Sequence, residues 1–354
     1  MKVLYIILTD INNNNLNSGP TVRSMTIKKE LEKKYKQIDI IQGANAKERF
    51  EIFKQLKKEN ADYDYCYIES RVGVTRWKDT KILRSLKDLK IKKIALYYRD
   101  MYWAFNIKTS KGTLKNLLVP FINKHYVRFL NDVCDVIFVQ SESFKNELLQ
   151  FIPKSTINLL PPGCDDIDEP LLVKKGALYV GEVDERFSGI ELLLETFKHI
   201  NEHQDQAILN IVCRKEEYDK NTKLINMNEE YQWLSIFHCS KETIKEVYDK
   251  SSITIIPRNG EEYTKLCLPI KLFEYISFEK PIVSIDHGEV GKFIEENKVG
   301  ITTKGTKEDF SEKILDLLKD EDTFNFYKEK IKEYKKTNMW SNRIELIHSI
   351  LKED

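Results

Sequence analysis

Several features that would assign this sequence to a familiar class are missing from it. None of its cysteines forms a Cys-x-x-Cys pair, so the spacing typical of a zinc site is absent. No apolar run reaches about 18 residues, and no positively charged leader stands at the start. We therefore expect a cytosolic protein, or one bound peripherally to the inner face of a membrane, with reduced thiols. The six cysteines are Cys66, Cys134, Cys164, Cys213, Cys239 and Cys267.

Strong net charge is also missing. The chain has 57 basic and 56 acidic residues, for a net charge of +1. Nucleic-acid-binding proteins are usually more basic, so we expect no nucleic-acid partner. The six histidines show no clear cluster, and no carboxylate pair of the glycosidase kind is apparent.

What is present is a regular alternation of apolar strands with amphipathic helices. Val3–Leu8 is a nearly continuous apolar run, which is typical of a strand buried on both faces of a parallel sheet. Strands alternating with helices predict an α/β protein with doubly wound sheets. The 354 residues exceed what one core usually organises. We predict domains over 1–165 and 166–336, followed by a terminal helix over 337–354.

The most informative stretch is Pro269–Ser284. A proline suits the start of a helix, and Leu272, Phe273, Ile276 and Phe278 recur at helical spacing. Lys280-Pro281 is predicted to end this helix before a short strand. A helix N-terminus attracts phosphate, and a carboxylate such as Glu274 accepts hydrogen bonds from ribose hydroxyls. On the residues alone, an ordinary helix with a solvated glutamate explains the stretch equally well.

The same stretch resembles a known site. Pro-x-Lys-Leu-Phe-Glu-Tyr, then Lys-Pro-Ile-Val, Gly288-Glu289 and Gly300-Ile301, are similar to the nucleotide-sugar site of GT-B glycosyltransferases. The nearest branch is family 4, retaining enzymes that build bacterial surface glycans. Leu160–Asp165 and Cys134–Ser143 resemble further segments of that family. The resemblance implies two Rossmann-like domains facing a cleft, with the terminal helix crossing back to the first domain.

The resemblance also implies roles for individual residues. Glu274 would hold the ribose, Arg186 and Lys271 would hold the phosphates as catalytic cations, and Asp100 would contact the acceptor side. Alternatively, Asp100 has a structural role and forms a salt bridge with Arg99 within the loop. The residues implied in donor binding are Gly19, Gly181, Arg214, Arg258, Lys265, Leu268, Pro269, Ile270 and Glu274.

Two positions depart from the family pattern. Glu182 stands where the family usually has an arginine that neutralises the departing diphosphate, and Arg186 is the expected substitute. Leu266 stands eight residues before Glu274, where the family often has a first glutamate, so Glu261 or Glu262 is the alternative. These departures allow an altered donor site or a weakly active protein.

The activity implied is retaining transfer of a sugar from a nucleotide diphosphate, UDP in preference to GDP, to a glycan or lipid-linked hydroxyl. Neither a metal nor another cofactor is expected. Basic and apolar residues interleave over 108–130, which suits contact with an anionic membrane. A helix that covers the sheet is favoured for the second half of this stretch, and the first half stays open between the two interpretations. Two alternatives are a non-catalytic partner of a sister glycosyltransferase and a nucleotide-sugar epimerase.

Overall fold

The computed structural model describes residues 1–12, 18–105, 107, 113–167, 176–184, 188–202, 207–240, 243–258, 260 and 262–352, with backbone alone for 113–117. The chain divides into two compact units. The first comprises Met1–Pro162 and Trp340–Asp354, and the second comprises Gly163–Met339. The divisions lie near the boundaries at 165 and 336 that the sequence suggested.

The regular elements follow one another in strict alternation over most of the chain. The strands are β1 (Lys2–Ile7), β2 (Gln37–Ile41), β3 (Asp62–Glu69), β4 (Lys90–Tyr97), β5 (Val136–Val139), β6 (Ile157–Leu159), β7 (Gly176–Val180), β8 (Ile208–Val212), β9 (Leu234–Phe237), β10 (Ile253–Ile256), β11 (Ile282–Ile285) and β12 (Gly300–Thr303). The helices are α1 (Gly19–Lys34), α2 (Ala46–Lys58), α3 (Trp77–Arg84), α4 (Thr113–Val133), α5 (Glu142–Leu149), α6 (Ile190–Ile200), α7 (Lys215–Tyr218), α8 (Thr222–Glu230), α9 (Lys245–Asp249), α10 (Ile270–Ser277), α11 (Gly288–Asn297), α12 (Lys307–Lys319), α13 (Glu321–Thr337) and α14 (Trp340–Lys352).

The first unit is built on a parallel six-stranded sheet in the order β2-β1-β3-β4-β5-β6. Val3–Ile7 of β1 are fully buried, as expected of a strand between two neighbours with helices on both faces. In β1, Tyr5 pairs with Ile40 of β2 on one side and with Tyr67 of β3 on the other. The carboxyl ends of all six strands therefore meet at one edge of this sheet.

The terminal helix α14 belongs to the first unit. Trp340, Ile344 and Ile347 are buried in the same core as Ile27 and Leu31 of α1. The Tyr35 hydroxyl and the Nδ1 atom of His348 lie 2.7 Å apart, which joins the ends of the two helices. The predicted return of the terminal helix to the first half of the chain is thus confirmed.

The second unit repeats the same architecture. Its parallel sheet has the order β12-β11-β10-β7-β8-β9, with apolar cores on both faces. The predicted apolar stripe of α10 is correct, since Leu272, Phe273 and Ile276 are fully buried. The α/β class with two doubly wound sheets, predicted from the sequence, is confirmed.

Some predicted boundaries were wrong. Helix α10 ends at Ser277, three residues before Lys280, because Glu279 adopts a positive φ of 55° that reverses the chain. The polar residues over 10–20 favour a loop followed by a helix from about Val22. Helix α1 instead begins at Gly19, since Pro20 is tolerated in a first helical turn. The short helices α7 and α8 were not foreseen at all.

Lys280 is an unusual feature of the second unit. Its side chain is 1 % exposed, and its Nζ atom has no hydrogen-bond partner within the described part of the chain. Burial lowers the pKa of Lys280 to about 8, although the Asp249 carboxylate opposes this shift. Below that pH, the charged ammonium form of Lys280 therefore destabilises the folded state.

The buried Lys280 ammonium makes the free energy of unfolding depend on pH. The folded pKa lies below that of an unfolded lysine, so the unfolded chain binds the proton more tightly between about pH 8 and pH 10, and stability rises with pH there. We expect the wild type to gain on the order of 2–3 kcal/mol relative to Lys280→Met over that range. Urea unfolding at several pH values measures it, with exposed Lys292→Met as control. If the difference in unfolding free energy between the wild type and Lys280→Met does not change with pH, this assignment is wrong.

Candidate functional site

The strand order of the second unit reverses between β7 and β10. From β7 the chain continues through β8 to β9 on one side, whereas β10, β11 and β12 lie on the other. In open α/β sheets, ligands bind outside the carboxyl ends of the strands at such a switch point. Gly181 directly follows β7, and the second residues after β8, β10 and β11 are Arg214, Arg258 and His287.

Tyr275 of α10 closes the gap at the switch point. Strands β7 and β10 pair only through Ala177–Ile253 and Leu178–Thr254, and then separate. The Tyr275 hydroxyl accepts a hydrogen bond from the Val180 N–H at 2.9 Å and donates to the Ile255 carbonyl at 3.5 Å. One buried hydroxyl thus takes the place of missing strand pairing and fixes α10 relative to both strand ends.

Tyr275→Phe should therefore destabilise the protein by about 1–2 kcal/mol, because it leaves a buried backbone N–H without a partner. Chemical unfolding measures this loss. Tyr327→Phe is the matched control, since the half-buried Tyr327 hydroxyl makes no hydrogen bond in the described ranges. Equal stability of the two variants would show that strand pairing alone holds the switch point.

The N-terminus of α6 lies against the end of β10. Gly189 caps this helix with a φ of +70°, and a Cβ atom there would lie 2.0 Å from the Pro257 carbonyl oxygen. Only glycine permits this approach. The partial positive charge of the first turn of α6 is thereby placed next to the residue before Arg258, an arrangement that favours an anion.

A second helix N-terminus lies near Lys265. Gly288, the first residue of α11, has a φ of +58°, and a Cβ atom there would lie 2.4 Å from the Lys265 Cα atom. The Thr264 hydroxyl and the His287 Nε2 atom lie 2.8 Å apart. Burial, with the nearby Lys265 ammonium, lowers the pKa of His287 below its ordinary value. His287 is therefore a neutral hydrogen-bonding group near pH 7.

Carboxylates surround the opposite side of the switch point. Arg214 donates to Glu217 at 3.2 Å. Burial raises the pKa of Glu217, the Arg214 guanidinium opposes that rise, and the Glu182 and Asp184 carboxylates add to it. Glu182, in the position where the family has an arginine, thus belongs to an acidic group. The field beyond β7 and β8 is consequently less favourable to a phosphate than the field beyond β10 and β11.

The α10 carboxylate is held by two partners. Glu274 accepts a hydrogen bond from the Tyr248 hydroxyl at 2.9 Å and forms an ion pair with Lys271 at 2.8 Å. Its side chain keeps 22 % of its surface exposed, so it is accessible as well as oriented. Lys271 lies in the first turn of α10 and is paired with Glu274 rather than with another acid.

The remaining sequence-predicted residues are placed as follows. Pro269 caps α10, Ile270 is its first helical residue, and Leu268 is buried. Lys265 is paired with Glu262 at 2.6 Å. Gly19 and Asp100 lie in the first unit. Arg186 and Glu261 lie outside the described residues. The structure therefore brings Gly181, Arg214 and Arg258 to one sheet edge, with Lys265 against the N-terminus of α11.

Within the described ranges, Arg99 does not form the salt bridge with Asp100 that was the alternative explanation of these two residues. Arg99 Nη2 donates to Glu69 Oε2 at 2.7 Å, at the carboxyl end of β3. Glu69 also pairs with Arg23 of α1. Sequence analysis missed both partners. A signal was available, because Glu69 is a charged residue that ends a long apolar strand, where side chains of functional sites collect.

No metal site is apparent in the described ranges, where no group of three or more His, Cys, Asp or Glu side chains is placed to hold an ion. The six cysteines are free, and four of them are buried. None of the helices described is both long and apolar enough to cross a membrane.

Comparison with known proteins shows what this arrangement is similar to. Residues 170–337, nearly all of the second unit, match the family model of group 1 glycosyl transferases. No curated protein sequence matches the chain. The chain has the GT-B fold that the sequence predicted, and its second unit matches the group 1 glycosyl transferase pattern. The family 4 subtype stays a prediction.

Three solved structures illustrate the shared fold. Sucrose-phosphate synthase from Thermosynechococcus elongatus is 13 % identical with a TM-score of 0.70, and 99 % of each chain is covered. HepE from Anabaena, in complex with UDP, is 11 % identical with a TM-score of 0.68 and the same coverage. WaaG, a glycosyltransferase involved in lipopolysaccharide biosynthesis, is 13 % identical with a TM-score of 0.65, covering 99 % of this chain and 100 % of that one.

Proposed function

We propose that this protein is a retaining, metal-independent glycosyltransferase. It transfers a sugar from a nucleotide diphosphate, UDP in preference to GDP, to a hydroxyl of a glycan or lipid-linked acceptor. The setting we propose is assembly of bacterial cell-surface polysaccharide on the cytoplasmic side of the membrane. UDP is preferred because a solved structure of similar fold was obtained in complex with that nucleotide.

The observation that carries this proposal is the coincidence of sequence match and site geometry. The group 1 match over 170–337 spans the whole edge at which two helix N-termini, α6 and α11, lie beside Arg258 and Lys265. Helix N-termini and guanidinium or ammonium groups are the means by which a protein stabilises phosphate without a metal. A diphosphate suits this edge better than a neutral ligand does.

The residues divide the work of the reaction between them. Glu274 accepts hydrogen bonds from the ribose hydroxyls, while Arg258 and Lys265 hold the diphosphate, with Arg186 and Lys271 as the further cations. The bond between the anomeric carbon and the β-phosphate oxygen breaks, and its electron pair goes to that oxygen. The acceptor oxygen forms the new bond on the same face of the sugar, and its proton passes to the departing diphosphate. Asp100 orients the acceptor.

A second candidate function is a non-catalytic partner subunit of a sister glycosyltransferase. The acidic group of Glu182, Asp184 and Glu217 favours it, because these carboxylates lie at the strand end where a cation is usual. An epimerase is the weaker alternative, since the six histidines show no cluster in the sequence. Nucleotide binding separates the catalytic reading from the partner reading.

Thermal unfolding with UDP and with GDP, each with and without EDTA, tests the donor site. A ligand that binds only the folded protein raises its stability by mass action. We expect stabilisation by UDP that EDTA does not change and that Glu274→Gln reduces, because loss of a charged hydrogen-bond acceptor weakens binding about tenfold or more. Exposed Glu246→Gln on α9 is the matched control. Absence of any nucleotide effect would favour the non-catalytic partner.

Membrane contact through α4 is part of the same proposal. Leu118, Phe121 and Ile122 recur at helical spacing and are 59 %, 63 % and 47 % exposed. Lys124 and Arg128 are exposed on the same helix, and residues 118–131 include no acid. A basic helix with exposed large apolar side chains suits the surface of an anionic bilayer. Such contact would bring the protein to a lipid-linked acceptor.

Flotation with vesicles tests this contact. The double variant Phe121→Ser with Ile122→Ser should bind vesicles of anionic lipid at least about tenfold more weakly than the wild type, because two apolar side chains no longer enter the bilayer surface. Trp77→Ser is the control, since Trp77 is 66 % exposed on a different helix. Equal binding of the double variant and the wild type would exclude α4 as the contact.

A further inference from the structure

A buried cluster of charges lies at the carboxyl edge of the first unit's sheet. Glu69 lies at the end of β3, and its carboxylate accepts three hydrogen bonds. The donors are Nε of Arg23 at 3.1 Å, the Tyr67 hydroxyl at 2.9 Å and Nη2 of Arg99 at 2.7 Å. Glu69 is fully buried and Arg23 is 1 % exposed. The Arg23 guanidinium stacks on the Tyr97 ring at 3.5 Å. The Glu69 carboxylate therefore binds the guanidinium groups of both Arg99 and Arg23.

A neighbouring cluster at the same edge provides a comparison. There, Arg49 pairs with Asp79 at 2.7 Å and with Asp10 at 3.0 Å, and Arg76 also pairs with Asp10. Two guanidiniums thus meet two carboxylates, and the charges balance. Around Glu69, two guanidiniums share one carboxylate. Asp100, which directly follows Arg99, is half-buried. Burial raises the pKa of Tyr97 in this cluster, and the Asp100 carboxylate adds to that rise.

This excess of positive charge is costly without a counter-charge. The Nη1 and Nη2 atoms of Arg23 are buried and have no hydrogen-bond partner in the described residues. A buried charge without a counter-charge destabilises the folded protein. Arg23 cannot be reached from solvent, whereas Arg99 keeps 8 % of its surface exposed. An external anion would therefore approach Arg99.

The geometry of Arg99 leaves one side of its guanidinium available. Its Nε atom donates to the Ser70 carbonyl at 3.1 Å, and its Nη2 atom is engaged by Glu69. Its Nη1 atom makes no hydrogen bond within the part of the chain that the structure describes. A guanidinium fixed on two sides is pre-organised to donate from the third to a carboxylate or phosphate oxygen.

We propose that Arg99 is an oxyanion-binding residue of the first unit, with Glu69 and Arg23 as its positioning residues. The ligand is a phosphate or carboxylate group carried by the acceptor. This assignment rests on the proposed transferase function for the identity of the ligand as an acceptor, but the binding of the anion itself does not depend on it. The anionic group would offset the excess charge of the cluster and fix the acceptor's orientation.

The test uses the full chain with its arginine side chains labelled with ¹⁵N, saturated with UDP so that any donor phosphate site is filled. Inorganic phosphate and acetate are titrated separately, with chloride at matched ionic strength as the reference. The Arg99 Nε–Hε signal, assigned by its loss in Arg99→Lys, is expected to shift in a saturable manner. The apparent affinity for phosphate or acetate should fall at least about tenfold in Arg99→Gln and stay unchanged in Arg76→Gln.

Each outcome decides the matter. Saturable shifts with phosphate alone support a phosphate group as the ligand, and saturable shifts with acetate alone support a carboxylate group. No shift beyond the chloride reference, or an equal affinity in Arg99→Gln, overturns the proposal. Thermal unfolding of each variant excludes loss of the fold as the cause. If neither UDP nor GDP stabilises the protein, the transferase function fails while the phosphate titration still reports on Arg99.

Discussion

The hydrogen bonds of the Tyr275 hydroxyl are the contact on which the candidate donor site depends. Parallel strands that diverge leave backbone groups without partners, and such groups are costly when buried. Tyr275 satisfies Val180 and Ile255 at the point of divergence. Because Tyr275 follows Glu274 directly in α10, the same contact orients the carboxylate and the helix N-terminus. Stability and site geometry therefore come from one residue.

Charge is distributed unevenly over both sheet edges. In the second unit, Arg258 and Lys265 lie beside helix N-termini, whereas Glu182, Asp184 and Glu217 gather beyond β7 and β8. In the first unit, a balanced network around Asp10 adjoins the cluster of Glu69, which has more cations than acids. A buried charge without a counter-charge is costly, so a ligand of opposite charge would be stabilised there. Both edges thus present cationic groups that suit an anion.

Much of the fold could be predicted because it is written in local periodicity. Apolar runs such as Val3–Leu8 and Ile282–Ile285 specify buried parallel strands, and the stripe Leu272, Phe273 and Ile276 specifies the buried face of α10. The errors fell at the ends of elements and at the short helices α7 and α8. Helix α10 stops before Lys280 because of one backbone reversal at Glu279, which no local composition signals. Helix α1 extends to Gly19 since a proline can open a helix as well as end a loop.

The sequence by itself determined the α/β class, the alternation of strands with helices, and the candidate cations and carboxylate of the donor site. These follow from side chains that recur at fixed spacing or stand just after a strand. Only the tertiary structure decided which charges meet. The Glu69–Arg23 pair joins residues 46 positions apart, and the Tyr248–Glu274 contact joins two helices. Such contacts depend on the packing of separate elements, because a charge chooses its partner by distance and burial rather than by position in the chain.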